Sequence, residues 1–343
     1  MEYKGQYKIF DTRSLKTYPV ASRKNRVTRD DVLSPEQVDG YQFDLPESQQ
    51  ENLRTLAGHI VRMRETKKPV LVFCGAHLIK NGLGRLLIDL IRRDLVTLVA
   101  GTAATTIHDF ELALIGQTSE DVPAALEKGE FGMAHEFVYQ NAALALGNEL
   151  KLGYGESLGR MICESCFRDE ALARIPCSEA IEFRHSHISV VAACIEKQIP
   201  FTVHAGIGTD VIDQHPSFDG QAKGGCSGRD FLVYTHEISR MTQGGMLFNI
   251  SSAVIGPEVF LKAASMAANT GKAPQGIITA DFDLRPFDAT ALSDASKVNY
   301  YFRDQKSIVT RIPRAYHGQG YYIRGNHKET FPYFYQQITR LDK

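Results

Sequence analysis

The sequence has no run of about 18 apolar residues, so no segment qualifies as a membrane-spanning helix. It also has almost no net charge: 39 Lys and Arg against 40 Asp and Glu leave −1 at pH 7. A near-neutral surface gives neither nucleic acid nor an anionic membrane an electrostatic reason to bind, and neither is expected as a partner. The opening Met1-Glu2-Tyr3-Lys4-Gly5 lacks the apolar stretch of a secretory signal, so the expected location is the cytoplasm. Six cysteines are too few to staple 343 residues and read as reduced thiols. No G-x-x-x-x-G-K-[ST] occurs, which excludes a P-loop nucleotidase. The G-x-G-x-x-G fingerprint is incomplete: Gly206-Ile207-Gly208 supplies two glycines, and Val211 stands at the third position.

What is present is a mixed polar arm followed by regular alternation. Residues 1–48 combine Lys, Arg, Asp, Ser and Thr with scattered apolar positions and no sustained period. Such an arm wraps a neighbouring surface, crosses to another subunit or stays loosely ordered, with Tyr7, Ile9, Phe10 and Tyr18 as anchors. From residue 49 the chain reads as one α/β domain running to 343, with a helical insertion at about 130–198. Apolar runs at 70–73, 96–100, 200–204, 246–250 and 275–280 read as strands, with a last one at 307–312. Helical spacing marks 49–66, 79–91, 107–115, 134–150, 157–173, 178–198 (capped by Ser178), 229–241 and 257–268. Alternation on this scale predicts a doubly wound α/β fold, a mostly parallel sheet with helices on both faces.

The strand ends carry the functional signal. Cys74-Gly75-Ala76-His77, Gly101-Thr102-Ala103-Ala104, Ala205-Gly206-Ile207-Gly208-Thr209-Asp210 and Ser251-Ser252-Ala253 each follow a predicted strand. Open α/β sheets bind ligands at that edge, where small residues let a ligand approach the backbone. Gly75, Ala76, Thr102, Ala103, Gly206, Gly208, Thr209, Ser251, Ser252 and Asp281 are therefore the expected cofactor contacts. Short βα loops favour small residues in any case, and that plain reading stands beside the functional one.

These segments resemble deoxyhypusine synthase and its bacterial relatives, which bind NAD on a Rossmann-like sheet. Residues 70–89 look like that family's first nucleotide strand, turn and helix, and 96–109 like its threonine-alanine-glycine turn. Residues 199–210 resemble its "IPV…G-x-x-D" segment, with Asp210 at an acidic substrate-side position, and 246–258 its small-residue loop. The resemblance covers roughly 69–309 and implies NAD as cofactor, a small amine or similar metabolite as substrate, and a homodimer or homotetramer. Three departures go with it, one being that Ile107-His108-Asp109 follows the threonine turn where the family has paired acidic residues. The family's Trp-Gly-Lys nucleophile segment corresponds to Lys297-Val298-Asn299-Tyr300-Tyr301, with no lysine in register, and Gly256-Pro257-Glu258 stands where the family has a histidine. Deoxyhypusine synthesis itself is therefore not expected.

His108, Asp109, His204 and Asp210 are the candidate catalytic groups, because a histidine beside a carboxylate is a usable acid–base pair. His77 and Asp283 fall at the same predicted rim. Cys163-Glu164-Ser165-Cys166 has C-x-x-C spacing, but without a tight second pair it reads as two buried helical residues, and no metal is expected. Cys226, in a glycine-rich segment with Arg229 near enough to favour thiolate, is a better nucleophile candidate than that pair, with a plain mobile loop as the competing reading. The aromatic segments 316–322 and 331–335 read as packing surfaces rather than base-stacking platforms. Two functions remain open: a nucleotide-dependent enzyme, or a nucleotide-binding protein without chemistry of its own.

Overall fold

Val70-Leu71-Val72-Phe73-Cys74 is apolar at every position because both faces of the strand it forms are covered. Val70, Val72 and Cys74 pack into one core, and Leu71 and Phe73 into a second on the opposite face. In the computed structural model, which describes residues 3–176 and 180–342, there are eight strands. They are β1 (Asn25–Thr28), β2 (Val70–Cys74), β3 (Leu98–Gly101), β4 (Gln117–Glu120), β5 (Phe201–Val203), β6 (Met246–Ile250), β7 (Ile278–Asp283) and β8 (Gln319–Arg324). Six form one parallel sheet in the order β5-β3-β2-β6-β7-β8. Numbered along the chain, those six strands run 3-2-1-4-5-6, the doubly wound dinucleotide order. The winding reverses between β2 and β6. The expected doubly wound fold is what the structure shows.

Helices Gly220–Ser239 and Ile255–Asn269 cover the Phe73 face, where Tyr234, Ile238, Phe260 and Ala264 are buried. Glu47–Glu65, Gly84–Arg92 and His327–Leu341 cover the other. The aromatic segment 331–335 lies inside this last helix. Phe334 sits 5.2 Å from the Phe248 ring and 5.9 Å from Phe282, so the segment belongs to the core of its own chain.

Several expectations need correction. Residues 307–312 are not a strand: Gln305–Arg311 is π-helical, and the sixth sheet strand is β8, which overlaps the aromatic segment 316–322. The 79–91 helix is two, Ala76–Lys80 and Gly84–Arg92, parted by Gly82 with φ at +74°. Residues 157–173 are likewise two helices, Tyr154–Cys163 and Ser165–Leu172. The long helix at 178–198 reduces to Val190–Glu196, capped by Ser189, while Cys177 and the expected cap Ser178 lie outside the described residues.

The arm fastens to its own chain, and of the expected anchors Tyr18 takes part: its amide donates to the Met133 carbonyl and its carbonyl accepts from the His135 amide, both at 2.8 Å. β1 pairs antiparallel with β4, the Val20 amide donates to Glu136, and Arg23 pairs with Glu111 at 2.7 Å. Tyr7, Ile9 and Phe10 stay exposed. Among the described residues, no helix is long and apolar enough to cross a membrane.

Candidate functional site

Register puts the four loops level. Cys74 pairs with Gly101 on one side and Ile250 on the other, and Gly101 pairs with Val203. Gly75, Thr102, His204 and Ser251 therefore step off the sheet at one edge. Packing already accounts for several of their small residues. A Cβ on Gly75 would stand 2.1 Å from the Ser251 carbonyl oxygen. Thr102 forms a capping box with Thr105 at the start of the Ala103–Ile115 helix, where Ala103 is buried. Ser252 Oγ accepts from the Gly256 amide, Ser251 Oγ meets His327 Nδ1 at 3.0 Å, and Ala76 opens the helix after β2.

The loop after β5 is different, because a buried lysine organises it. Lys223 Nζ donates to Asp210 (2.8 Å), Asp213 (2.6 Å) and the Gly206 carbonyl (2.8 Å). The lysine side chain is 1% exposed and the two carboxylates 7% and 4%. Asp213 also accepts from the amide of Gly208, whose φ of +81° suits glycine, and Thr209 donates to Asp210. Asp210 is thus held by a cation rather than left free for an amine.

The His108–Asp109 pair does not form, because neighbours on a helix face different ways. Asp109 is buried and accepts from Ser189 Oγ and the Val190 and Val191 amides, anchoring the Val190–Glu196 helix; burial pushes its carboxyl up to about 6. His108 Nδ1 lies 2.7 Å from Thr118 Oγ1, and burial, then Lys80 and Arg23, push the ring down to about 3. His204 is buried against Phe73, Tyr234 and Phe231, with Nε2 3.2 Å from Thr202 Oγ1. Burial alone takes it to about 3. Both rings are neutral at pH 7.

This yields a pH prediction. A histidine depressed in the folded state stabilises fully above its ordinary value near 6.5 and loses that contribution as pH falls toward the folded value. Relative to His204→Phe, the wild type should lose about 1.4 kcal/mol per pH unit below 6.5. Urea denaturation of both proteins at pH 8 and pH 5 measures this, and a pH-independent difference would count against a buried neutral His204.

Asp281 lies within the sheet edge, fully buried. Its Oδ1 accepts from Asn249 at 2.7 Å, and burial with Asp304 nearby raises its carboxyl well above the usual range. Cys226 is not on a mobile loop: it is buried in the Gly220–Ser239 helix, and burial raises its thiol despite Arg229 at 3.4 Å. Cys163 and Cys166 are exposed and sit on successive helices rather than buried in one. Among the described residues, no three His, Cys, Asp or Glu gather to hold a metal ion.

Two residues escape the motif reading. Lys223 sits among glycines that suggest a loop, yet Asp219 caps the helix four residues earlier, and Ala222, Cys226, Asp230 and Tyr234 mark a buried face. Gly155-Glu156-Ser157-Leu158-Gly159 has the G-x-S-x-G spacing, but it lies inside a helix with Ser157 buried and donating to the Gly153 carbonyl. That is no nucleophile elbow, which requires a strand-to-helix turn.

Two concavities share the loop after β5. An open groove of about 390 Å³ runs past His204, Gly206 and Lys223, along Gly224, Ser227 and Gly228, to Ile255 and Val259. A cavity of about 250 Å³ takes Thr209, Asp210 and Val211 as one wall, with His108 and Lys80 opposite and Arg23 from the arm.

The class this defines is a Rossmann-like doubly wound α/β protein with concave surfaces at its strand-end loops. No family model and no curated protein matches the chain. Among solved structures, AgrE in ternary complex with ornithine and NAD+ is similar at 15% identity and a TM-score of 0.47, over 88% of this chain and 34% of that one. This chain thus spans about a third of AgrE's length. A conserved candidate LOR/SDH protein from Methanococcus maripaludis S2 is similar at 15% identity and 0.48, over 91% of this chain and 74% of that one. A candidate deoxyhypusine synthase from Entamoeba histolytica is similar at 11% and 0.40, over 96% and 98%.

Proposed function

We propose that the chain binds a nucleotide, NAD or a close relative, in the groove between the Gly220–Ser239 helix and the start of the Ile255–Asn269 helix, as part of an enzyme acting on a small metabolite. The strand order carries this reading: a 3-2-1-4-5-6 sheet takes its dinucleotide at the strand-end edge near the winding reversal. Gly224 and Gly228 support it. Both line the groove, and both have open space where a Cβ would stand, so no internal packing requires glycine there. Ser227 braces the same turn, donating to the Val203 carbonyl and accepting from the Ala205 amide.

One observation favours the alternative of binding without chemistry. None of the four acid–base candidates is a free proton carrier: His108 and His204 are neutral, Asp109 is capped, and Asp210 is paired. Isothermal titration with NAD, NADH and ATP tests the reading. NAD or NADH should bind saturably, and Gly228→Leu should weaken binding by about tenfold or more, equivalent to about 1.4 kcal/mol, with the circular dichroism unchanged. Binding of no nucleotide, or unaltered affinity in a folded Gly228→Leu, would remove the groove assignment.

A further inference from the structure

We propose that Ser251 and His327 form a serine–histidine dyad that transfers a small acyl group from a carboxylic ester to water. Ser251 follows β6, one of the two strands at the winding reversal, and His327 opens the helix over the face of the sheet opposite the nucleotide groove. The dyad does not require nucleotide to be bound. Backbone geometry comes first. Ser251 has φ at +62°, a left-handed conformation that costs a residue other than glycine on the order of 1 kcal/mol or more. Lys67, Asp94, Lys151 and Gln198 adopt it just past helix ends, where it is an ordinary stop. Ser251 adopts it between a strand and the Ile255–Asn269 helix, the setting in which a sharp turn presents a nucleophile. Gly75 makes room for that turn, since a Cβ there would stand 3.3 Å from the Cβ of Ser251.

Hydrogen-bond direction supplies the second requirement. The Phe282 carbonyl has no proton to give, so it accepts from His327 Nε2 at 3.0 Å. With the proton on Nε2, Nδ1 carries a lone pair and accepts from Ser251 Oγ at 3.0 Å. Burial is the largest influence on the ring and holds it below the ordinary histidine value, so this neutral form is present at pH 7. His77, on the Ala76–Lys80 helix, and Asp283, at the end of β7, are the titratable groups that act on it, and Asp283 favours the imidazolium. The Phe282 carbonyl fixes tautomer and orientation, as a carboxylate does in a triad.

A place for the developing charge completes the site. Among the described residues, the amides of Ser252 and Ala253 have no acceptor. The amide after a nucleophile is a usual donor to the oxyanion. Ser251 is half-buried, and Ala253 and Val254 are exposed beside it, a small apolar flank that suits a short acyl chain. Ser251 Oγ attacks the ester carbonyl carbon as its proton passes to His327 Nδ1. The ester C–O bond then breaks, and the alcohol leaves with that proton. Water, giving a proton to His327, attacks the acyl-serine, releasing the carboxylic acid and restoring the hydroxyl. An ester suits the dyad better than an amide, because burial disfavours the imidazolium and an alcohol departs with less proton delivery than an amine.

Diisopropyl fluorophosphate and p-nitrophenyl acetate, added to the full chain without nucleotide, test the proposal, with trypsin as the positive control. The first forms an Oγ–P bond as fluoride leaves, and peptide mass spectrometry should map the diisopropylphosphoryl group to Ser251. Release of p-nitrophenol should saturate with ester, and its rate should fall in acid with a midpoint below 6.5, the titration of a depressed histidine. Ser251→Gly suits the positive φ, and His327→Gln keeps a donor for the Phe282 carbonyl. Each should lower the labelling or turnover rate about a hundredfold or more at the wild-type melting temperature. An unlabelled Ser251 alongside labelled trypsin overturns the proposal. So does labelling undiminished in His327→Gln, or a rate that keeps climbing with hydroxide through pH 9. Should a variant fail to fold, the wild-type label map and pH profile decide alone. Because no nucleotide is present, failure here and failure of the groove assignment are read separately.

Discussion

Lys223→Met is expected to destabilise the fold by about 3–5 kcal/mol, the range for removing one partner of a buried ion pair. The substitution keeps the aliphatic stem and deletes the ammonium, leaving Asp210 and Asp213 buried together without a cation. The Gly206 carbonyl loses its donor in the same step. The loop after β5 would have to open to hydrate those groups, and both concavities it walls would lose their shape. Guanidinium denaturation measures the loss. Asp210→Asn and Asp213→Asn added to Lys223→Met should recover a substantial part of it, since the stranded charges are then gone. A single variant as stable as wild type would show that the triad contributes nothing, and a triple variant no better than the single would place the cost elsewhere.

Gly75→Ala is expected to cost about 3 kcal/mol, the upper end of the range for overpacking. The backbone conformation there is extended and open to alanine (φ −76°, ψ 171°), so the cost is steric. The new Cβ would stand 2.1 Å from the Ser251 carbonyl oxygen, which is backbone and cannot rotate away as a flexible side chain would. Relief means parting β2 from β6, and with them the bond from the Gly75 amide to the Ile250 carbonyl. Gly58→Ala is the control with opposite sign. Gly58 lies inside the Glu47–Glu65 helix with nothing near its Cβ position, so alanine should stabilise by up to about 1 kcal/mol through helix propensity. Melting curves of the two variants would move in opposite directions, and a Gly75→Ala protein that melts with wild type would sink the close-approach account.

The central strands were legible because burial on both faces leaves an unbroken apolar run, as in Met246-Leu247-Phe248-Asn249-Ile250. β8 was not, because the tyrosines of 316–322 read as a packing surface; Gly320 is required by the Val309 carbonyl, 2.0 Å from where a Cβ would stand. Residues 305–311 mislead in the opposite sense, since Ile308 and Val309 read as strand while the backbone is π-helical. At the candidate site, counting from strand ends placed His204, Gly206 and Asp210 after β5 at the carboxyl edge of the sheet, where the structure has them. It could not supply their partners. Asp210 with Lys223, Arg23 with Glu111 and His108 with Thr118 join different elements, and no local period encodes them. The smallness of Gly75 and Ser252, read as room for a ligand, is set by neighbouring backbone and a helix start instead.

The strand order also bears on how the chain reaches this state. β2 finds β3 soon after it is made, but its other neighbour is β6, where Val70 pairs with Met246. Until that distant segment is synthesised, the middle of the eventual sheet is an exposed edge of unpaired amides and carbonyls on an apolar strand, a template for pairing with other chains. The helix that covers the finished core on one face, His327–Leu341, arrives later still and packs against the first long helix, Glu47–Glu65. Closing contacts of such long range is slow. Production of this protein should therefore be governed by how well a nascent chain is kept from its neighbours, and chaperone shelter would raise the soluble yield without altering a single native contact.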